Sequence, residues 1–235
     1  MELRENKGRS VPAEIYKGFH FLFGSWQFYA GAGTLLAGML LNFASQTYLH
    51  NYMQEGKTLP MLSDLILDNI PFVDVSLFYD LLSLSAFLLM GTYIVFKNEY
   101  RSLPFFLLVC GIFYMTRGVF IVLTPFGNPP NFNGSNGPFN GFSMYELGVY
   151  PSGHVGSAFL FLLLIKDKLF KWLLSICLVL IIVTLLLARG HYSIDIFSGL
   201  FFAYAIKAFG DKYFVSFDFR EKRSNAPQPP EGGDQ

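Results

Sequence analysis

Two short stretches of this apolar chain carry the residues best suited to chemistry: YPSGHVGSAF at 150–159 and ARGHYSIDIFSG at 188–199. A neutral imidazole is a competent nucleophile toward phosphorus. A carboxylate on its other nitrogen fixes the tautomer and stabilises the developing cation. His191 and Asp195 are four residues apart, so on a helix they would share a face. His154, which has no adjacent carboxylate in the sequence, could protonate the leaving oxygen.

The neighbouring residues also suit a phosphate. Ser152 is a good N-cap, and Ser152-Gly153 would open backbone N–H groups toward an anion at a helix start. Arg117 and Arg189 can hold phosphate oxygens by paired hydrogen bonds. A zinc site built from the two histidines and Asp195 is conceivable from ligand count, but two nearby arginines would repel a cation. We therefore expect neither a metal ion nor a cofactor.

The composition predicts that a membrane surrounds these groups. Of 235 residues, 52% are hydrophobic and only 14% are charged, against about 25% charged in soluble domains. The formal net charge is zero, which argues against a nucleic-acid partner. We predict an all-α, polytopic membrane protein with a six-transmembrane-helix bundle. The apolar segments are about 25–49, 75–96, 103–125, 152–165, 171–188 and 193–209.

The distribution of charge predicts the orientation of the bundle. Fourteen of the 17 basic residues fall in the terminal segments and in the loops after the second and fourth spans. The positive-inside rule therefore predicts that both termini are cytoplasmic. We divide the chain into a cytoplasmic or interfacial segment 1–24, a catalytic membrane domain 25–212 and a cytoplasmic, disordered tail 213–235.

The ionisable groups of these motifs are predicted to lie at one depth. This depth is near the side of the membrane opposite the termini, the exoplasmic (lumenal or periplasmic) side. A single histidine in a span is more often structural than functional. His154, His191, Asp195 and Arg117 nevertheless come from three separate stretches, and ionisable groups at membrane depth usually mark a functional path. Because 151–165 spans only about 22 Å as a helix, we expect a site below the membrane surface, roofed by loop 127–150 and entered sideways from lipid.

Two further patterns carry structural predictions. The small-residue run AGAGT at 30–34, with Ala37-Gly38, predicts close contact of the first span with another helix. Asp64 and Asp68 have helical spacing, and we interpret them as the solvated face of a short interfacial helix.

PSGH at 151–154 followed by HYSID at 191–195 resembles the phosphate-site motifs of the type 2 phosphatidic acid phosphatase superfamily. The sphingomyelin synthase branch, which includes the inositol phosphorylceramide synthases, is the more similar one. Residues 117–125 are similar to its arginine motif, and LPMLSD at 59–64 is similar to its proline-rich first motif. The resemblance implies six spans, cytoplasmic termini and an exoplasmic active site. It also implies His191 as nucleophile, Asp195 as its partner and His154 as general acid and base.

Two departures from the superfamily's patterns concern the substrate. The lysine-led motif of the phosphatases is not apparent, which favours the synthase branch. The acidic residue that synthases carry before SGH is not at its usual offset, and Glu146 is its candidate replacement. Weaker candidates for headgroup binding are Tyr150 and Asp80, although Asp80 could equally extend to the membrane surface.

These patterns predict an enzyme that moves a phospho-headgroup from a phospholipid to a lipid alcohol, ceramide- or diglyceride-like, through a phosphohistidine intermediate. Its partners would be the phospholipid donor and the lipid alcohol acceptor within the membrane, and the chain could form a homo-oligomer. Two alternatives remain open. One is a lipid phosphate phosphatase with water as acceptor, and the other is a non-catalytic phospholipid-binding or transport protein.

Overall fold

The computed structural model describes residues 16, 18, 20–132 and 147–220, and in these ranges it contains helices and no β-strand. The α-helices are α1 (Trp26–Gln54), α2 (Leu65–Asn69), α3 (Ser76–Phe96), α4 (Leu103–Leu123), α5 (Gly153–Leu164), α6 (Lys168–Leu187) and α7 (Ser193–Tyr213). Two 3-10 helices, Glu99–Ser102 and Val215–Phe217, precede α4 and follow α7.

Five of these helices are long and apolar enough to cross a bilayer: α1, α3, α4, α6 and α7. The fourth predicted span is present as α5, which has 12 residues. At 1.5 Å per residue α5 is about 18 Å long, less than the roughly 30 Å of a hydrocarbon core. The prediction of an all-α, polytopic membrane protein is confirmed, with one helix of the bundle shorter than the other five.

The small-residue prediction for the first span is also confirmed, and its partner is α4 of the same chain. A Cβ atom on Gly38 would lie 2.6 Å from the carbonyl oxygen of Gly111, and one on Gly111 would lie 2.5 Å from the amide nitrogen of Leu35. Only glycine permits backbones to approach this closely. Among the helices that the structure describes, α1 packs extensively against α4 alone.

The remaining helices surround α5. It contacts α3, α4, α6 and, most extensively, α7, while α3 also packs along α6. The start of α5 is joined to the first turn of α7, because the amide of Ser152 donates to the carbonyl of Asp195 at 3.0 Å. The short helix thus serves to hold the first histidine motif beside the second.

The helix ends fall into two groups, as a chain that alternates in direction requires. At one end, Lys97 pairs with Asp167 at 2.7 Å, and the amide of Phe219 donates to the carbonyl of Arg101 at 3.1 Å. Asp167 also accepts from two amides in the first turn of α6, so this helix begins at Lys168, three residues before its predicted start. The turns that carry the histidines lie at the other end.

The predicted tail begins later than residue 213. α7 continues to Tyr213, and Phe217 and Phe219 are buried against the bundle, with the Phe217 ring 5.3 Å from that of Trp26. These aromatic side chains supply apolar area that a disordered segment could not bury, so the folded part extends to Arg220. Residues 221–235 and nearly all of 1–19 lie outside the described ranges.

Candidate active site

His191 and Asp195 form a buried pair at the start of α7. Asp195 Oδ2 lies 3.3 Å from His191 Nδ1 and accepts a hydrogen bond from the Tyr192 amide at 2.8 Å. Because α7 begins at Ser193, His191 precedes the helix, so the expectation that both residues share a helix face is wrong. The pairing arises instead because a carboxylate in the first helical turn reaches back over the N-cap residue.

His154 also has a carboxylate partner. Its Nε2 lies 3.5 Å from Oδ1 of Asp80, which comes from α3 and is only 2% exposed. Asp80 is therefore buried within the bundle and does not extend to the membrane surface, and its contact with a headgroup stays a prediction. The sequence argument that His154 has no carboxylate beside it is wrong, because the partner is 74 residues away along the chain.

The two imidazole–carboxylate pairs face each other. The ring centroids of His154 and His191 are 5.7 Å apart at 68°, an edge-to-face contact, and the ring of Tyr79 lies 5.5 Å from that of His154. The His154 side chain is 34% exposed, whereas that of His191 is 5% exposed. One ring is therefore accessible and the other lies beneath it.

The environment of His191 favours an uncharged ring. His191 lies between α6 and α7, where burial lowers its pKa below the ordinary value and the hydrogen bond with Asp195 acts in the opposite direction. A lowered pKa keeps the imidazole neutral at neutral pH, which is the form with a nucleophilic nitrogen.

The segment before α5 is fixed at several points. Ser152 is fully buried, and its hydroxyl accepts from the Val155 amide at 3.4 Å, as an N-cap does. Gly153 packs against Arg117, since a Cβ there would lie 3.1 Å from the Arg117 Nε. The predicted N-cap is confirmed.

Arg117 clamps the chain that leads into α5. Its Nε donates to the carbonyl of Pro151 at 3.0 Å, and Nη2 donates to that of Gly148 at 2.8 Å. Its Nη1 donates to the side-chain oxygen of Asn42 on α1. Each guanidinium nitrogen thus has one protein acceptor, and the predicted contact of Arg117 with phosphate stays a prediction.

For Arg189 and Tyr150 the structure shows contacts with other parts of the chain. Arg189 adopts a positive φ of 57°, and its Nη2 donates to the carbonyl of Ile70 at 3.1 Å. Its buried Nε has no hydrogen-bond partner among the described residues. The ring of Tyr150 packs against Phe120 and Phe126, with centroids 5.9 and 6.0 Å away. Glu146 lies outside the described residues.

A cavity of about 230 Å³ opens beside the accessible histidine, between α1, α3, α4 and α5. Its polar end is formed by Gly153, His154 and Arg117, and further lining residues are Gln46, Ser83, Tyr114 and Ser157. The rest of the wall is apolar, formed by Ala86, Phe87, Ala158 and Phe161. The sideways entry from lipid and the roof formed by loop 127–150 stay predictions.

Asp64 is a residue whose part in the site the sequence argument missed. It is buried, and its two carboxylate oxygens accept from the amides of Ile66, Leu67 and Ser193, the last at 2.6 Å. Burial tends to raise its pKa, but these hydrogen bonds keep the pKa below the ordinary value. The interpretation of Asp64 as part of a solvated face is wrong, and its place in LPMLSD was the available signal.

The loop of Asp64 is attached to the second histidine motif at another point. The Leu62 amide donates to the Tyr192 hydroxyl at 3.1 Å, and this hydroxyl donates to the carbonyl of Asn128 at 3.2 Å. Two loops at this end of the bundle thereby meet at the residue that follows His191. In the part of the chain that the structure describes, no three His, Cys, Asp or Glu side chains are grouped as a metal ion would require.

Residues 151–211 match the family model described as PAP2 superfamily C-terminal. The match contains both histidine motifs but neither Asp80 nor Arg117. No curated protein matches the chain. The match extends no further than the superfamily and does not single out the sphingomyelin synthase branch. This segment is similar to the type 2 phosphatidic acid phosphatase superfamily, whose members are phosphatases or phosphotransferases. Together with the five apolar helices, the match supports an integral membrane protein.

Proposed function

We propose that this protein is a membrane lipid phosphotransferase, which moves a phospho-headgroup from a phospholipid to a lipid alcohol. The observation that carries the proposal is the pair of facing imidazole–carboxylate units, of which the His154 ring lines a cavity with an apolar part. Phosphoryl transfer through a covalent intermediate needs a nucleophile and a separate proton donor, each held in a fixed tautomer.

In the first half-reaction, His191 attacks the phosphorus of the donor. Its Nδ1 faces Asp195, so Nε2 is the nitrogen that would form the new bond to phosphorus. The bond from phosphorus to the diglyceride oxygen breaks, and His154 gives its proton to that oxygen. Asp195 offsets the positive charge that develops on the phosphorylated ring.

In the second half-reaction, the lipid alcohol replaces the diglyceride. His154 takes the hydroxyl proton, the alcohol oxygen attacks phosphorus, and the bond from phosphorus to His191 breaks. Asp80 stabilises the protonated state that His154 has before the first half-reaction and regains in the second, since the carboxylate lies 3.5 Å from Nε2. Arg117 and Arg189 offset charge on the phosphate oxygens.

The apolar cavity favours a lipid alcohol over water as acceptor. Ala86, Phe87, Ala158 and Phe161 form an apolar part of its wall, while the side chain of the proposed nucleophile His191 is only 5% exposed. We assign this end of the bundle to the exoplasmic side, because Lys97, Arg101 and Lys166 lie at the opposite end.

The test uses purified protein in liposomes that contain a phospholipid labelled in its phosphate. Added ceramide or diglyceride should receive the label, and His191→Ala and His154→Ala should abolish transfer. His20→Ala, a change of an exposed histidine far from the cavity, should not. Label released as a water-soluble phosphate ester would instead show a phosphatase. Binding without any product would contradict an enzyme.

A second experiment separates the roles of the two histidines. A nitrophenyl phosphodiester has a good leaving group and hardly needs a general acid, so His154→Ala should still release nitrophenol once. Without a base for the acceptor, this variant should accumulate an acid-labile adduct that mass spectrometry locates on His191. An adduct on His154, or equal loss of the nitrophenol burst in both variants, would reverse the assignment.

A further inference from the structure

α1 places three neighbouring polar side chains inside the bundle, and one of them has no explanation in the fold. The side-chain amide of Asn42 donates to the carbonyls of Gly38 and Tyr114. The Ser45 hydroxyl donates to the carbonyl of Gly118 at 2.8 Å. Gln46 is only 8% exposed, yet none of the described residues forms a hydrogen bond with its carboxamide. A polar group buried at membrane depth without a partner is unfavourable, which makes such groups candidates for function.

The Gln46 carboxamide lines the cavity beside the catalytic end. It lies one helical turn beyond Asn42, about 6 Å nearer the end of the bundle that carries the histidines. Other polar groups of the wall are already bonded: Ser83 donates to a carbonyl of its own helix, and the hydroxyls of Tyr114 and Ser157 bond to each other at 2.8 Å. Gln46 therefore offers donors and an acceptor to whatever fills the cavity.

We propose that Gln46 binds the acyl carbonyl of the lipid substrate and so selects acylated lipids. This inference rests on the proposed function, because it assigns a residue to lipid recognition within the same cavity. A carboxamide carries two N–H donors, and the carbonyl nearest a reacting phosphate or hydroxyl is an ester in a glycerolipid and an amide in an N-acyl lipid. Both linkages present the same acceptor oxygen a few atoms from the reacting group, at the depth where an apolar wall meets polar side chains.

Ether-linked lipids provide the test, because they keep the chains but lack the carbonyl oxygen. The kcat/KM of the wild-type protein is measured after the acyl linkage has been replaced by an ether linkage, first in the donor alone and then in the acceptor alone. We expect about a tenfold loss for the substrate whose carbonyl Gln46 binds, the effect of one buried hydrogen bond, and little loss for the other. Equal values for acyl and ether forms of both substrates would overturn the proposal without any variant.

The variant Gln46→Leu should remove the preference for the acyl over the ether form of the substrate. Its kcat/KM should fall for the acyl lipid and stay unchanged for the ether lipid. A nitrophenyl phosphodiester without acyl chains reports on folding and chemistry, and its turnover should be unchanged. Gln27→Leu, the same change near the opposite end of α1, is the matched control and should retain the preference. A preference that persists in Gln46→Leu overturns the inference, whereas a wild-type protein that turns over no lipid at all overturns the proposed function.

Discussion

Gly199 in α7 should be essential to the geometry of the site although its side chain cannot take part in chemistry. A Cβ added there would lie 2.8 Å from the carbonyl oxygen of Ser152 and 3.3 Å from the amide nitrogen of Gly156. Both atoms belong to the backbone of the His154 segment, so neither can move aside alone. Gly199→Ala should therefore push the start of α5 away from α7.

The size of the effect follows from the distance. Ordinary contact begins near 3.4 Å, so the two helices must separate by about 0.6 Å. Overpacking of this kind costs about 1–3 kcal/mol of stability. Catalysis is more sensitive, because a displacement of about 1 Å between reacting groups can cost about 100-fold. The displaced groups here are His154 on one helix and the His191–Asp195 pair on the other, so we expect kcat to fall at least tenfold.

The assay is transfer of labelled headgroup in liposomes, with thermal unfolding in detergent measured in parallel. Gly91→Ala in α3 is the matched control, because a Cβ there meets nothing within 4 Å and alanine favours a helix. The control should keep full activity and equal or greater stability. Wild-type turnover in a folded Gly199→Ala protein would refute the argument that close approach of α5 and α7 sets the active geometry.

Three other substitutions have expected outcomes. Asp80→Asn should slow diglyceride release from the phospholipid at least tenfold but slow the nitrophenol burst from a nitrophenyl phosphodiester much less, because His154 loses its carboxylate and an activated donor hardly needs an acid; equal losses in both first half-reactions would contradict this role. Arg117→Lys should also lower turnover at least tenfold, since lysine cannot reproduce the forked contacts, and near-normal kinetics would remove Arg117 from the site. Asp64→Asn should lower the unfolding free energy at neutral pH by about 1–3 kcal/mol. The pKa of Asp64 is lowered on folding, so the wild-type protein loses this contribution only as pH falls below 3.8 through the folded-state pKa, and a chemical-denaturation series should show that loss in the wild type alone.

The helices were predictable because a membrane span requires a long apolar run, which composition shows directly. The predicted start of the second span at 75 and that of the last at 193 lie within one residue of α3 and α7. The errors in the predicted boundaries arose where a local contact extends a helix or holds a segment against the bundle. Asp167 caps α6 before the apolar run begins, and the aromatic rings after Tyr213 pack on the bundle although charged residues surround them in the sequence.

In the candidate site, sequence spacing predicted the contact between His191 and Asp195 because only four residues separate them. It could not predict that Asp80 faces His154, since a contact between α3 and α5 depends on how the helices pack. For the same reason it could not predict the contacts of Arg117 with the chain before α5 and with Asn42. The contact of Arg117 with phosphate stays a prediction. Long-range polar contacts inside a bundle are determined by helix packing, which single-sequence patterns do not contain.

Asp195 explains why the two histidine motifs act as one unit despite their separation in the chain. Its carboxylate holds His191 and the Tyr192 amide, while its carbonyl accepts the Ser152 amide at the start of the His154 helix. One residue therefore fixes both the tautomer of one ring and the position of the segment that carries the other.

The two motifs form a compact core within residues 151–211, the segment matched by the superfamily model. Two side chains from outside this segment lie beside it: Asp80 faces His154, and Gln46 lines the cavity. The cavity wall combines residues of α1, α3 and α4 with residues of α5, which belongs to the matched segment. We therefore expect differences in substrate within such a fold to depend on α1, α3 and α4 more than on the two histidine motifs.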